Sequence, residues 1–280
     1  MDPNGKAAVV VGGASGIGRA TALELARRGA DVFVADLHEA RAAEVVREVE
    51  ALGRRAFALR TDVRSDADVD ALRDAALGAL GRVDLLVNSP GVSLLGAVEE
   101  IPIEDWQWVL DVNLVGFVRT CRTFLPHMLA RGSGWIANVA SIAGLYAYSY
   151  DAVPYVTSKF GCAGFTEGLA VYARPRGVGV SLLCPGLVQT NLAENARIVG
   201  VPDPASFLHF PEHMRRAIAP EEAAAVLCDG IEAERFLLLT HPEDEAVLRD
   251  RRADVDAAIA RQVRESPDPF AGRYGPPERG

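Results

Sequence analysis

The chain has 280 residues, of which 49% are hydrophobic, and this fits one large α/β domain with a sizeable core better than two small domains. Its formal charge of -9 argues against a general nucleic-acid surface, because phosphate binding draws on clustered Lys and Arg. No apolar run approaches the roughly 18 residues that cross a bilayer and the first residues do not resemble a signal peptide, so we expect a soluble, cytoplasmic protein without a membrane partner.

Short apolar runs of β type alternate with segments of helical spacing up to about position 240. This alternation predicts a doubly wound Rossmann-type parallel sheet of about seven strands, flanked by helices on both faces of a single α/β domain. The predicted strands are residues 7–12, 31–36, 55–60, 83–88, 135–139, 178–184 and 236–239. The predicted helices are residues 17–28, 40–52, 66–80, 103–131, 155–173 and 220–233. The helix 103–131 is expected to bend near Pro126.

Three segments fall outside this alternation. Residues 187–217 show no clear period, and because irregular segments of that length are usually lids or binding loops, we predict a lid here and name it the cover segment. Residues 243–264 have charged helical character, which indicates a surface helix or an oligomer contact, and residues 266–280 predict an irregular tail. We therefore assign residues 1–240 to the main domain and 241–280 to a C-terminal helix and tail.

A glycine cluster joins the first predicted strand to the first predicted helix. Absent side chains let the backbone approach a pyrophosphate, and the helix N-terminus offers unpaired N–H groups and a positive dipole. A tight turn that uses glycine for positive φ is the alternative. The residues that would bind the pyrophosphate are Gly12, Ser15, Gly16, Ile17 and Gly18.

Asp36 ends the second predicted strand, 18 residues beyond Gly18, where an acid can accept hydrogen bonds from adenosine ribose hydroxyls. An aspartate there repels a 2′-phosphate, and Leu37 and His38 offer no arginine to neutralise one. This favours NAD over NADP as the cofactor, with a solvated carboxylate at a strand end as the alternative. Asp62 and Val63 could bracket the adenine, and a turn or helix-capping aspartate is the alternative.

Tyr155 and Lys159 stand four residues apart and so share one face of a predicted helix. A free phenol is protonated at neutral pH, and a positive charge one turn away stabilises the phenolate that a general base needs. Of the 29 basic residues only Lys6 and Lys159 are lysines, so a chance pair on a helix surface explains the spacing poorly. A compact ammonium suits donation to two ribose hydroxyls better than a guanidinium does.

Two polar residues could complete this site. Ser141 follows the fifth predicted strand, at the edge where open α/β sheets bind ligands, and its hydroxyl could bind a reacting oxygen, although a turn serine is the alternative. Asn113 would place an amide inside a helix, able either to hold a water that relays protons from Lys159 or to serve as a core hydrogen bonder. The four cysteines form no C-x-x-C pair, which favours buried thiols over a disulfide frame or a metal site.

These motifs, in this order over residues 5–240, resemble the short-chain dehydrogenase/reductase family in its short single-domain branch. The resemblance implies a catalytic tetrad, a seven-stranded sheet and a homotetramer or dimer. The chain departs from the family at Val11, where threonine is usual, and at Asn88-Ser89-Pro90-Gly91, where N-N-A-G is usual. The tetrad would be Asn113, Ser141, Tyr155 and Lys159, and the further cofactor contacts Asn88, Gly91, Pro185, Gly186, Val188 and Thr190, besides Tyr155 and Lys159.

The segment between Ser141 and Tyr155 must pass beside the reacting carbon, and it carries three tyrosines. An apolar wall with a few hydroxyls favours a medium-to-bulky secondary alcohol or ketone, including cyclic ones, as the small-molecule substrate. The aromatics could equally pack the core, and a protein that binds NAD as a sensor or scaffold without turnover is the alternative function. The predicted substrate contacts are Ser141, Leu145, Tyr148, Tyr155, Leu187 and Phe207.

Overall fold

The computed structural model describes residues 1–200, 214 and 216–265. Within these residues, seven parallel strands form the central sheet in the order β3-β2-β1-β4-β6-β7-β9, and β5 pairs with β8 in a small separate sheet. The strands are β1 (Ala7–Val11), β2 (Asp31–Asp36), β3 (Ala56–Arg60), β4 (Leu85–Asn88), β5 (Ser93–Gly96), β6 (Gly134–Val139), β7 (Val178–Cys184), β8 (Ala196–Val199) and β9 (Leu237–Leu239).

Helices cover both faces of the central sheet. The side chains of β1 alternate between two hydrophobic clusters, with Ala8 and Val10 on one face and Val9 and Val11 on the other, as the pleat of a doubly covered strand requires. The helices are α1 (Gly16–Arg27), α2 (Glu39–Ala51), α3 (Asp66–Leu80), α4 (Ile103–Leu110), α5 (Gly116–Arg131), α6 (Val153–Ala173), α7 (Pro220–Glu232), α8 (Glu243–Ala253) and α9 (Val255–Glu265).

This architecture confirms the predicted doubly wound sheet and all seven of its strands. The order of the strands reverses between β1 and β4, so the chains leaving β1 and β4 diverge and open a crevice at the carboxyl ends of the strands. None of the helices in the described ranges combines the length and the apolarity that a bilayer span requires.

The predicted helix 103–131 is interrupted at a different place from the one expected. Helix α5 continues through Pro126, whereas a π turn at Asp111–Val115 separates α4 from α5. The prediction of a bend near Pro126 therefore placed the irregularity too late. The π turn carries Asn113, whose buried amide bonds the backbone of Val92 and holds the turn in place.

The predicted helix 243–264 is two helices, because Asp254 is extended (φ -153°) between α8 and α9. Its carboxylate accepts a hydrogen bond of 2.9 Å from the backbone N–H of Ala257 and so caps the first turn of α9.

The described part of the cover segment is more regular than predicted. A 3-10 turn (Asn191–Asn195) leads into β8, which pairs with β5 in parallel. The pairing needs a glycine at Gly96, where a Cβ would lie 2.1 Å from the carbonyl oxygen of Val199. Residues 201–213 and 215, among them the predicted substrate contact Phe207, lie outside the described residues, as does the predicted tail 266–280.

Candidate active site

Tyr155 and Lys159 lie on the first turns of α6, and both side chains are buried. The ammonium nitrogen of Lys159 lies 5.7 Å from the centre of the Tyr155 ring and donates a 3.5 Å hydrogen bond to the carbonyl oxygen of Val139, at the end of β6. A buried cation is costly unless it is partnered, so its position beside the phenol favours a polar function over a chance surface pair.

Ser141 follows β6 directly and begins a short 3-10 turn (Ile142–Gly144). Its Oγ accepts a 3.1 Å hydrogen bond from the N–H of Ala143, which orients the hydroxyl. The turn packs tightly on α6, since a Cβ on Gly144 would lie 2.6 Å from the carbonyl oxygen of Lys159. The structure therefore brings the serine turn and the Tyr155–Lys159 face of α6 together at the carboxyl edge of the sheet.

The Asn113 amide is fully buried and engaged by protein groups. Its Oδ1 accepts from the N–H of Val92, and its Nδ2 donates to the carbonyl oxygen of Val92 and to the Oγ of Ser158, at 2.9 to 3.0 Å. Only the second lone pair of Oδ1 is left to hold a water. The predicted water relay to Lys159 stays a prediction, and the core hydrogen-bonding alternative describes what this amide does in the structure.

The glycine loop fits a pyrophosphate. Gly12 and Gly16 have positive φ values of 71° and 51°, and α1 begins at Gly16. Ser15, at the N-cap, makes no side-chain capping bond, and the first turn of α1 contains no acidic residue that would occupy its N–H groups. Ile17 lies on the same first turn. The helix N-terminus is therefore suited to an anionic ligand.

Replacing Gly18 with alanine is expected to destabilise this loop. A Cβ at this position would lie 2.0 Å from the carbonyl oxygen of Gly12, a contact that only a backbone shift can relieve. We expect Gly18→Ala to lower the free energy of unfolding by about 2 kcal/mol or more and to weaken binding of NADH, the cofactor predicted from the sequence. Gly78→Ala is the matched control, because a Cβ on Gly78 in α3 meets nothing within 4 Å and should stabilise by about 0.5 to 1 kcal/mol. Thermal unfolding and NADH titration test both, and equal behaviour of the two variants would refute this account of Gly18.

Asp36 lies beside the glycine loop. Its carboxylate accepts 3.0 Å hydrogen bonds from the N–H groups of Ala14 and His38, which fix it at the end of β2. Each carboxylate oxygen keeps a lone pair that could accept from a ribose hydroxyl. Leu37 is exposed at the same edge. The carboxylate is thus held at the position that a dinucleotide-binding fold uses for the adenosine ribose.

Asp62 is turned towards Arg64. Hydrogen bonds from the Arg64 guanidinium and from its backbone N–H hold the pKa of the Asp62 carboxyl below its ordinary value. This geometry matches the turn aspartate that was the alternative at this position. Val63 is buried, with its Cγ2 2.8 Å from the place of a Cβ on Gly116. The adenine contact predicted for both residues stays a prediction.

In the segment 88–91, where the chain departs from the family pattern, the first residue is buried in the sheet and the last faces the site. Asn88 is fully buried in the sheet, where its Nδ2 donates to the Oδ1 of Asn138 at 2.9 Å, so its side chain does not reach the crevice. Gly91 faces the site, because a Cβ there would lie 3.7 Å from the Nζ of Lys159. Pro90 packs on the glycine loop, 2.6 Å from the place of a Cβ on Gly12.

The segment that follows β7 lies at the same crevice, between the serine turn and the glycine loop. The carbonyl oxygen of Pro185 accepts from the N–H of Ile142 at 2.8 Å, which ties the turn at Pro185 and Gly186 to the serine turn. Val188 forms an isolated parallel bridge with Ile218. The Cγ2 of Thr190 lies 3.1 Å from the place of a Cβ on Gly16, so this chain faces the glycine loop.

Three further predicted substrate contacts, Leu145, Tyr148 and Leu187, lie within the described residues. Tyr148 packs against the cluster that contains Tyr155, and burial raises the pKa of the Tyr148 phenol above its ordinary value, with Tyr155 and Asp151 adding to the rise. Leu145 packs on the serine turn, and Leu187 is half-buried beside Ile218, to whose N–H its carbonyl oxygen is bonded at 3.1 Å.

Several polar residues near the site are not among the predicted site residues. Asp151 is buried, and burial raises the pKa of its carboxyl. Gln262, on α9, donates to the carbonyl oxygen of Tyr148 at 2.9 Å, and Thr240 and His241 are buried behind Gly186. The Thr-His pair at the end of a predicted strand was visible in the sequence, but only the fold brings it to Gly186.

All four cysteines are buried and free, and burial raises the pKa of Cys121 to about 12.

Residues 6–198 match the model of the short chain dehydrogenase family. A cyclohexanol dehydrogenase of Acinetobacter sp. strain SE19 is 34% identical over 220 residues, which cover 77% of this chain and 87% of the relative. A cis-4-hydroxycyclohexanecarboxylate dehydrogenase of Sinomonas cyclohexanicum is 36% identical over 224 residues, which cover 79% and 87%.

Solved structures of related proteins superpose on the chain. A short chain dehydrogenase/reductase from Burkholderia phymatum in complex with NAD is 34% identical with a TM-score of 0.81, covering 92% of this chain and 96% of that one. A variant of the actinorhodin polyketide ketoreductase with NADPH is 30% identical with a TM-score of 0.75, covering 85% and 96%. Both nicotinamide cofactors therefore occur among the neighbours of this fold.

Proposed function

The chain belongs to the short-chain dehydrogenase family, and on that premise we propose that it is an NAD(H)-dependent oxidoreductase that interconverts a secondary alcohol and a ketone. The observation that carries the proposal is the buried Tyr155–Lys159 pair, which lies beside the Ser141 turn at the carboxyl edge of the parallel sheet. A nicotinamide cofactor, when bound, supplies the chemistry of accepting hydride from the alcohol carbon or returning it to the ketone carbon.

Tyr155 moves the proton that accompanies this transfer. In the oxidation, its phenolate oxygen takes the hydroxyl proton of the alcohol, and in the reduction its hydroxyl gives that proton to the ketone oxygen. Lys159 stabilises the phenolate with its buried positive charge. Ser141 donates a hydrogen bond from its Oγ to the substrate oxygen, on which negative charge develops during the transfer.

The proposed cofactor is NAD, on the strength of Asp36. The carboxylate that Ala14 and His38 fix at the end of β2 would accept from both ribose hydroxyls and would repel a 2′-phosphate. The glycine loop and the free first turn of α1 would hold the pyrophosphate, and Gly186, Val188 and Thr190 would border the nicotinamide. The Burkholderia phymatum neighbour, which is complexed with NAD, supports this choice. Because the ketoreductase neighbour is complexed with NADPH, the test of the proposal compares NAD with NADP.

Substituting Asp36 with asparagine tests the cofactor proposal. The amide is isosteric and its oxygen can still accept from the Ala14 N–H, but the charge that repels a 2′-phosphate is gone. We expect kcat/KM for NADP relative to NAD to rise at least about tenfold in Asp36→Asn. Glu39→Gln removes the same charge from the exposed first turn of α2 and should change this ratio less than about twofold. A ratio that does not move in Asp36→Asn would contradict the role of Asp36.

The proposed substrate is a medium-to-bulky, largely apolar secondary alcohol or ketone, with cyclic alcohols the first choice. Leu145, Tyr148 and Leu187 would form its wall, with Phe207 as a further proposed contact. Two relatives whose names carry a cyclohexane ring support this choice. Initial rates for cyclohexanols of increasing size, compared with short-chain secondary alcohols, test it, and a preference for the short alcohols would overturn it.

We also propose that the protein works as a homo-oligomer, a tetramer or a dimer. The outer face of α6 exposes large apolar side chains, with Val171 75% and Tyr172 51% accessible in the single chain. A contiguous apolar patch on an exposed helix face is a common subunit contact in homo-oligomers. Light scattering on the purified protein measures the mass directly.

A further inference from the structure

Thr240 and His241 follow the edge strand β9, and both are buried directly behind the turn at Gly186. The backbone N–H of Gly186 donates to the Oγ1 of Thr240 at 3.1 Å, and this oxygen lies 2.8 Å from the Nδ1 of His241. On the other side of the ring, Nε2 lies 2.8 Å from the carbonyl oxygen of Arg216. Hydrogen bonds thus run without a gap from Gly186 to Arg216.

The direction of each hydrogen bond follows from its acceptor. A carbonyl oxygen only accepts, so Nε2 of His241 carries the proton that is donated to Arg216. In the neutral ring Nδ1 then has a lone pair, which accepts from the hydroxyl of Thr240, while that hydroxyl accepts from Gly186. Every polar atom of the chain of bonds is satisfied, which is the usual state of a buried polar group.

His241 is in direct contact with one side of the candidate site and hydrogen-bonded to the other. A Cβ on Gly186 would lie 2.6 Å from its Nδ1, so the ring packs on the turn itself. Arg216 leads into Ile218, which bonds the backbone of Leu187 and Gln189 at 3.1 and 2.9 Å. The ring therefore holds the turn at Gly186 and the returning segment 216–218 at a fixed separation.

We propose that His241 is a positioning residue for hydride transfer, a role that rests on the proposed function. Its Nδ1, through Thr240, fixes the Gly186 turn against which the nicotinamide would bind. Its Nε2 fixes Arg216 and, through the bonds of Ile218, the backbone of the proposed substrate contact Leu187. The two nitrogens thus have separable effects, Nδ1 on the cofactor and Nε2 on the alcohol.

Two substitutions of His241 test the hydrogen bonds of its two ring nitrogens separately. His241→Asn places an amide oxygen near the position of Nδ1 and keeps the acceptor for Thr240, but it does not reach Arg216. His241→Gln reaches the position of Nε2 and can still donate to Arg216, but it offers no acceptor at Nδ1. Thr240→Val removes the same link on the cofactor side, and Thr240→Ser, which keeps the hydroxyl, is its control.

We expect His241→Gln and Thr240→Val to raise the Kd for NADH by about threefold to tenfold, and His241→Asn and Thr240→Ser to leave it within about twofold of the starting protein. The KM for the alcohol should rise about threefold to tenfold in His241→Asn and less in His241→Gln. NADH fluorescence gives the Kd without turnover, initial rates give the KM, and thermal unfolding identifies a variant that fails to fold.

The proposal is wrong if His241→Asn and His241→Gln change the same constants in parallel, or if both lower only the melting temperature. A protein that binds NADH but oxidises no alcohol would instead refute the proposed function, and the Kd values would then decide the role of His241 alone.

Discussion

Replacing Tyr155 with phenylalanine is expected to lower kcat by about a thousandfold or more while NADH still binds. The phenylalanine ring keeps the apolar packing of Tyr155 against Ala143 and Ala152 but has no hydroxyl that could give or take a proton. The substitution is therefore expected to slow the proton transfer and to leave the fold unchanged. Without the hydroxyl of Tyr155, the reacting oxygen of the substrate has no acid or base beside it.

A second tyrosine on the same helix provides the control. Tyr172 lies near the end of α6, and half of its surface is exposed at a distance from the site. Tyr172→Phe should keep kcat within about twofold of the starting protein. Initial rates and NADH titration of both variants give the comparison, and turnover of Tyr155→Phe within tenfold of the starting protein would refute the role of Tyr155 as general acid and base.

Substituting Lys159 is expected to lower kcat/KM by about a hundredfold or more, even when the positive charge is kept. The ammonium is buried and lies 3.5 Å from the carbonyl oxygen of Val139 and 3.7 Å from the place of a Cβ on Gly91. The larger planar guanidinium of Lys159→Arg places its charge and its donors differently from a compact ammonium, and Lys159→Met keeps the stem but loses the charge. Both variants should lose activity, the first through geometry and the second through charge.

Lys6, the other lysine of the chain, lies at the start of β1 and provides the matched control. Lys6→Arg should leave kcat/KM unchanged, because arginine serves at nearly every other basic position of the protein. Circular dichroism checks that the Lys159 variants are folded. Full activity of Lys159→Arg would show that any cation suffices, and the argument from a compact ammonium would be wrong.

The central sheet could be predicted from the sequence because its inner strands are buried on both faces and because apolar runs alternate with helical segments along the chain. β1 and β7 read as nearly continuous apolar runs, and their bounds in the structure differ from the predicted ones by at most one residue. The pairing of β5 with β8 could not be predicted, because each strand has four residues and their partners are about a hundred positions apart. No local pattern marks such a pairing.

Residue type located the candidate site, whereas tertiary contacts decided what each side chain bonds. The serine turn packs on the part of α6 that carries Tyr155 and Lys159, because both follow the carboxyl ends of strands, and the catalytic roles of the three residues stay predictions. The contacts of Asn113 with Val92 and of Asp62 with Arg64 satisfy local backbone and charge needs that the motif does not encode. His241 is the clearest case, since its partners Gly186 and Arg216 are 55 and 25 residues away in the sequence.

One measurement tests the proposed function most directly. The purified protein is assayed against cyclohexanols and other secondary alcohols, with NAD and with NADP, by the absorbance of the reduced cofactor. The proposed function predicts reduction of NAD by at least one bulky or cyclic secondary alcohol, with a kcat/KM at least about tenfold higher with NAD than with NADP. Clear preference for NADP would contradict the role given to Asp36, and binding of NADH without turnover of any alcohol or ketone would contradict the enzyme itself.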